Sequence, residues 1–333
     1  MSATQPVKLV TIGGGTGLST LLEGLRPYLA AGAGVPPRAT LTAIVTVTDD
    51  GRSSGRLRGE FRVLPPGDIR NCLVALSDRD RLMTRLFGYR YPGDGELGGH
   101  ALGNLIILAL NQMGGDFLAA VDQARELLGI AARVLPSTLD QVDLVARAGD
   151  RVVRGQTAIK GRGAPIRELT LVPPGAAALP AAVEAILAAD LITLGPGSLF
   201  TSVIPNLLVA GIREALSASR ARKLYICNAM TEADETDGFT AEDHVLQLLA
   251  YAPELELDYA LFNSAPISAE MRERYAAERA AALDPPAAAA PGGRCGRFVS
   301  LPLASEARFV RHDPARLSRA IFEIYQRRAE GRP

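Results

Sequence analysis

Apolar runs of strand length that end in polar, glycine-rich turns and pass into helical spacing recur along most of this chain. That alternation constrains the fold more than any other feature. The stretch LVTIGGGTGLSTLL opens the series: Leu9 to Ile12 read as a buried strand, and Leu18, Leu21, Leu22 and Leu25 recur at helical spacing. The glycines fill the turn between them. ATLTAIVTVTDDG repeats the pattern with Asp49 and Asp50 at the strand's carboxyl end, and strands to Val172, at Leu191 to Leu194, at KLYICN and at LDYALFN follow with helices between them. Such units predict an α/β fold with a mostly parallel sheet covered on both faces.

One segment departs from the alternation. DLVARAGDRVVRGQ reads as a β-hairpin, with strands near Val142 to Ala146 and Arg151 to Gly155, inside an insertion at about 133–160. RFVSLPL and ARFVRHD read as a final strand pair before a helix from Ala315, and DPPAAAAPGG, about 284–293, as a flexible loop. With no internal repeat and no convincing linker, residues 1–333 read as one domain.

Lys+Arg and Asp+Glu both number 36, so no overall basic field draws the chain to nucleic acid or anionic lipid. Cys72, Cys227 and Cys295 show no C-x-x-C spacing, which argues against a disulfide framework or a zinc site and for a reducing cytoplasm. The first strand begins too early for a secretory leader, and the apolar tract Ala176 to Leu194 is broken by Pro180, Glu184 and Asp190, so no membrane span is expected.

In open α/β sheets ligands bind over the carboxyl ends of the strands. The polar segments of this chain collect there. Gly13, Gly14, Gly15, Thr16 and Gly17 form a strand-to-helix turn suited to phosphate, because glycine admits close backbone approach and helix N-termini attract anions. No lysine follows Gly17, which argues against a triphosphate-hydrolysing loop, and Leu18 occupies the third position of the dinucleotide fingerprint where a small residue belongs. Gly195, Gly197 and Ser198 in GPGSLFTS form a second candidate anion or sugar turn.

Between the turns lie further candidates. Asp49 and Asp50 suit Mg2+ held against a diphosphate, and equally suit accepting loop N–H groups. Arg52, Arg56, Arg58 and Arg62 read as a mobile basic loop, and Arg70 and Asn71 fall in the first turn of a helix capped by Asp68. His100 is placed to donate to a phosphate, Asn228 and Asn263 to read a base or sugar, and His244 on a helix surface. No nucleophile–base arrangement is recognisable.

Taken together, IGGGTGLSTLLEGL, VTDDGRSSGRLR, PGDIRNCLVAL, GGHALGNLI, LGPGSLFTSVIPNLLV, YICNAMTEADETDGFTAEDH and RHDP resemble the CofD-like superfamily in its YvcK or gluconeogenesis-factor branch. The similarity runs in order from about Val7 to Ala320. It implies a Rossmann-like, three-layer αβα fold in a cytoplasmic bacterial protein that binds UDP-sugars such as UDP-N-acetylglucosamine and supports cell shape and wall synthesis during gluconeogenic growth. No reaction is attached to that branch. Asn104 and Met230, inside the shared motifs, join the candidate ligand contacts, and Arg311 is implied as a diphosphate contact, with His312 and Asp313 beside it. Pro314 stands where some relatives carry a hydroxyl residue, so phosphorylation there is ruled out.

Relatives in the superfamily include Mg2+-dependent 2-phospho-L-lactate transferases, which share Gly14 to Gly17 and Asp49–Asp50. A transferase using a nucleotide diphosphate carrier is therefore the alternative, and an NAD-binding oxidoreductase a second one. Self-association into a homo-oligomer stays open.

Overall fold

A parallel strand covered on both faces needs apolar side chains at nearly every position, and the first strand, β1 (Val7–Gly13), buries all but Lys8. The computed structural model describes residues 5–29, 38–161, 165–286 and 293–326. After β1 come α1 (Gly15–Leu25), β2 (Ala39–Val45), α2 (Arg52–Phe61), α3 (Gly67–Leu76), α4 (Leu82–Gly88), α5 (Leu102–Gly114), α6 (Phe117–Leu127) and β3 (Arg133–Pro136). A middle section contains β4 (Asp143–Ala148), β5 (Arg151–Arg154), α7 (Gln156–Ile159) and β6 (Ile166–Val172). Alternation then resumes with α8 (Pro180–Leu187), β7 (Leu191–Leu194), α9 (Ile204–Leu207), α10 (Ile212–Ala218), β8 (Arg222–Ile226), α11 (Ala241–Tyr251), β9 (Leu257–Asn263), α12 (Ala269–Ala277) and β10 (Cys295–Leu301). The short β11 (Ala304–Glu306) and β12 (Val310–His312) precede α13 (Pro314–Gln326).

Seven strands form the main sheet in the order β10-β9-β8-β7-β1-β2-β3, and every pairing in it is parallel. The chain starts in the middle, at β1, winds outward through β2 and β3, and returns to build the other half from β7. Strand order therefore reverses between β1 and β7, whose register pairs Val10 with Ile192 and Thr11 with Thr193. The α/β expectation is met, with helices on the sheet and a small antiparallel sheet beside it.

Four expectations are corrected. β10 does not pair with the strand after it: it adds to the edge of the main sheet against β9, while β11 and β12 pair with each other. β6 leaves the parallel series and joins the hairpin, giving the order β5-β4-β6. The basic segment from Arg52 is helix α2, not a mobile loop, because Ser53, Ser54 and Leu57 face inward together. Asp68 lies inside the first turn of α3, with Pro66 at the cap. Residues 287–292 of the expected flexible loop lie outside the described residues.

The main core joins the inner faces of the sheet to α1, α3, α11 and α13, with Leu18, Leu22, Ile69, Leu248 and Ile321 wholly enclosed. Helix α1 crosses α13 where Gly24 meets the backbone of Pro314, and a Cβ at Gly24 would run into that carbonyl. Backbone cannot rotate aside, so Gly24→Ala is expected to destabilise the fold by about 1–3 kcal/mol. The check is urea denaturation, with the midpoint falling at an unchanged slope. A smaller cluster of Met230, Ile267, Met271 and Val310, with Tyr275 against it, joins α12 to β11 and β12.

Candidate functional site

At the reversal point the turns after β1 and β7 face each other. Gly15 takes φ +62° and Gly197 φ +150°, both in the region that disfavours side chains, and a Cβ at Gly17 would lie 2.5 Å from Pro196 O and 2.7 Å from Gly197 N. The backbones are therefore in contact. Thr16 and Gly17 stand in the first turn of α1, where N–H groups have no partner within the helix and the helix dipole is positive. Gly15 N–H donates to Asp68 Oδ2 at 2.9 Å.

Above the turns opens a cavity of about 630 Å³, a volume suited to a nucleotide-sized ligand. Gly14, Gly15, Thr16 and Gly17 line it, together with Arg70, Asn71, Asn104, Gly197, Ser198, Asn228 and Met230. Arg311 reaches the same space from β12, far along the chain. These residues are thus brought together.

Each is held by identifiable contacts. Arg70 donates from Nε to Asn104 Oδ1 at 3.1 Å, Asn104 Nδ2 donates to Ser53 Oγ at 2.9 Å, and Ser53 Oγ lies 3.0 Å from His100 Nδ1. His100 is buried behind this chain and does not line the cavity, so its position is that of a support for Ser53 rather than a phosphate donor. Asn228 accepts from Gly197 N–H at 3.1 Å and donates to Gly197 O at 3.1 Å and to Glu232 Oε1 at 2.9 Å, clamping the second turn.

Gly13, Gly195 and Asn263 also lie off the cavity wall. Gly13 is the last residue of β1, and its carbonyl accepts from Thr46 N–H at 2.9 Å. Gly195 N–H donates to Ile12 O at 2.9 Å. Asn263 Oδ1 accepts from the N–H groups of Ala265, Leu303 and Ala304, and Nδ2 donates to Ala265 O. Its amide organises the chain at the end of β9. His244 is buried, against the expectation of a surface position, and its Nδ1 lies 2.8 Å from Thr240 O.

The two acidic residues after β2 part company. Asp49 lines the cavity and accepts from Gly51 N–H at 2.9 Å, whereas Asp50 turns to α7 and accepts from Thr157 N–H at 2.8 Å and Thr157 Oγ1 at 2.7 Å. Asp50 ties the antiparallel insertion to the main sheet. The carboxylate beside Asp49 in the cavity is Asp68, whose pKa burial and then the charge of Asp49 raise to about 7. Burial and Arg90 together lower the Arg70 guanidinium to about 10.

Several lining residues were not foreseen. Lys160, at the end of α7, donates to Ser198 Oγ at 3.1 Å and pairs with Glu235 at 3.3 Å and Glu232 at 3.6 Å. Ser198 Oγ in turn donates to Glu232. Nothing in a short turn of the insertion marks that lysine in advance. Asp68 does carry a signal, standing in a helix's first turn beside Arg70.

Among the described residues no group of three or more His, Cys, Asp or Glu side chains is arranged for a metal, and no helix is long and apolar enough to cross a membrane. A hard cation held between Asp49 and Asp68 would have to complete its shell from a ligand's phosphate oxygens and water, which is how Mg2+ is commonly bound. Two neighbouring carboxylates, one with its charge suppressed first by burial and then by the other, fit that role.

Residues 9–291 match the family model described as 2-phospho-L-lactate transferase CofD. The chain is 44% identical over 281 residues to the gluconeogenesis factor of Bacillus subtilis, covering 84% of this chain and 86% of that one. It is 43% identical over 273 residues to the gluconeogenesis factor of Halalkalibacterium halodurans, covering 82% of each. A solved structure of a member of the UPF0052 family from Bacillus halodurans superposes with a TM-score of 0.86 at 39% identity, over 96% of this chain and 99% of that one.

Proposed function

The chain belongs to the CofD family, with gluconeogenesis factors among its relatives, and from that premise we propose that it is a UDP-sugar-binding regulator. Its ligand is a nucleotide diphosphate sugar such as UDP-N-acetylglucosamine, and it acts in the cytoplasm to support cell shape and wall synthesis during growth on gluconeogenic carbon. One observation carries this reading: two glycine turns in backbone contact at the strand-order reversal, with Arg311 directed into the cavity they floor. Free N–H groups at a helix start and an unpaired guanidinium are the donors a diphosphate takes. Calorimetry with UDP-N-acetylglucosamine, GDP and NAD tests it. Tightest binding of the first is expected, and a preference for GDP or NAD overturns the reading.

A second reading is supported by the carboxylate pair and by the family's description. In it the site serves a Mg2+-dependent transferase of the phospholactyl type, with Asp49 and Asp68 holding the ion and Arg70 and Arg311 the diphosphate. Bound there, Mg2+ would offset charge on the phosphates.

Asp68 gives this pair a pH signature. Its folded pKa of about 7 exceeds the ordinary carboxyl value of 3.8, so the native state keeps a proton that the unfolded chain releases in between. The stability this contributes is present below the unfolded pKa and is lost as pH rises through about 7. Asp68→Asn, whose amide oxygen still accepts from Gly15, is expected to melt progressively higher than the native chain as pH rises across that window. In the native chain, Mg2+ in the presence of UDP should raise the melting temperature more strongly above pH 7 than below it, and the variant should lose that pH dependence. A constant difference between the two melting curves contradicts the assignment.

A further inference from the structure

The two asparagines expected to read a base, Asn228 and Asn263, use their amides on backbone groups or on Glu232. The cavity wall offers another candidate for that role. Glycines, hydroxyl groups, amides and charged side chains make up most of it, but Tyr275 and Phe309 stand together at the arm formed by β11 and β12. Tyr275 Oη accepts from Val310 N–H at 3.0 Å, which fixes the arm against α12. Phe309, at the arm's tip, remains 38% exposed although it is a large apolar side chain.

Three guanidiniums converge on that ring. The Cζ atoms of Arg274, Arg308 and Arg311 lie 5.4, 5.5 and 5.3 Å from its centroid. None of the ion pairs among the described residues engages these three arginines. Arg274 also donates to Arg308 O at 2.8 Å, so the cluster is tied together and not merely adjacent. An exposed aromatic ring with guanidiniums over it that make no ion pair is a surface on which a nucleobase stacks, because the base presents a polarisable face to the ring and carbonyl oxygens at its edge to the cations. Inorganic phosphate alone would need the arginines and would leave the ring without a role.

We infer that Phe309, framed by Arg274, Arg308 and Arg311, is the stacking platform for the heteroaromatic base of the bound nucleotide. The inference rests on the nucleotide-binding reading above. Arg311 then joins two subsites: its guanidinium serves the diphosphate, and the ring beside it receives the base one ribose away.

The test uses the full chain and two probes, UDP and inorganic pyrophosphate. No tryptophan occurs in the sequence, so Phe309→Trp places a single indole at the platform and keeps an aromatic face there. UDP is expected to quench its emission, whereas pyrophosphate, though it binds and competes, is expected to leave the emission unchanged. Phe309→Ala should bind UDP about tenfold more weakly and pyrophosphate as well as the native chain does. If the native chain binds UDP, and Phe309→Ala binds it equally well with Phe309→Trp unquenched, the platform is overturned while the diphosphate reading stands. Equal losses for UDP and pyrophosphate overturn it too, since the ring would then act only through the phosphate site. If the native chain fails to bind UDP at all, both this inference and the nucleotide reading fall.

Discussion

Gly17→Ala is expected to weaken UDP-sugar binding about a hundredfold while leaving the chain folded. The added methyl would sit 2.5 Å from Pro196 O and 2.7 Å from Gly197 Cα and N, all backbone atoms that no rotamer change can move. The turns after β1 and β7 would have to separate by roughly an ångström, and a displacement of that size in a positioned site costs on the order of a hundredfold. Because the strain is confined to the rim of the sheet, the stability loss should stay within about 1–3 kcal/mol. Calorimetry with UDP-N-acetylglucosamine, alongside a circular dichroism melt, separates the two effects. Native-like affinity in a folded Gly17→Ala chain would mean that the paired turns do not hold the ligand.

Arg311→Ala is expected to cost about ten- to a hundredfold in affinity, the equivalent of losing one charge-assisted hydrogen-bond donor at about 1.5–3 kcal/mol. The side chain is exposed on β12 and lies against the Phe309 ring. Its removal should therefore change stability by no more than about 0.5 kcal/mol. The electrostatic origin has its own signature, since added salt should weaken binding to the native chain more than to Arg311→Ala. Parallel salt dependence in the two would show that Arg311 lies outside the diphosphate contact.

The parts of this architecture that were legible in the sequence are those where one physical demand fixes the residue types. Strands β1 and β7 are buried on both faces, so they appear as short apolar runs, and their glycine turns announce the helix starts that follow. The edge strand β10 differs from its sequence reading because it is only partly covered, and its half-exposed pattern looks like half of a hairpin. Its true partner, β9, lies across a helix and a long connection that no local pattern encodes. Helix α2 escaped notice for a different reason: Arg52 to Phe61 has little apolar content, and the face it buries consists largely of serines.

The site divides in the same way. Gly14 to Gly17, Gly197 and Ser198 could be read as ligand turns because backbone geometry demands glycine there. Asp49 and Asp50 could not be told apart, since adjacent residues in the loop after β2 diverge and only the fold decides that Asp50 meets Thr157 while Asp49 neighbours Asp68. His244 was placed on the surface, yet it stands four residues before Leu248 on the face that also buries Val245, a spacing that was available in the sequence. Lys160 and Phe309 owe their positions to an insertion and to a distant arm. Lys160 has no neighbour in sequence that foretells the cavity, whereas Phe309 stands two residues before Arg311.

The measurement that bears most directly on the account is a crystal structure of the chain with UDP bound. The diphosphate oxygens should lie within hydrogen-bonding distance of the Thr16 and Gly17 N–H groups, with the Arg311 guanidinium on the same phosphates. A diphosphate bound away from the Gly14–Gly17 turn, or an Arg311 side chain directed elsewhere while the ligand is in place, would contradict it.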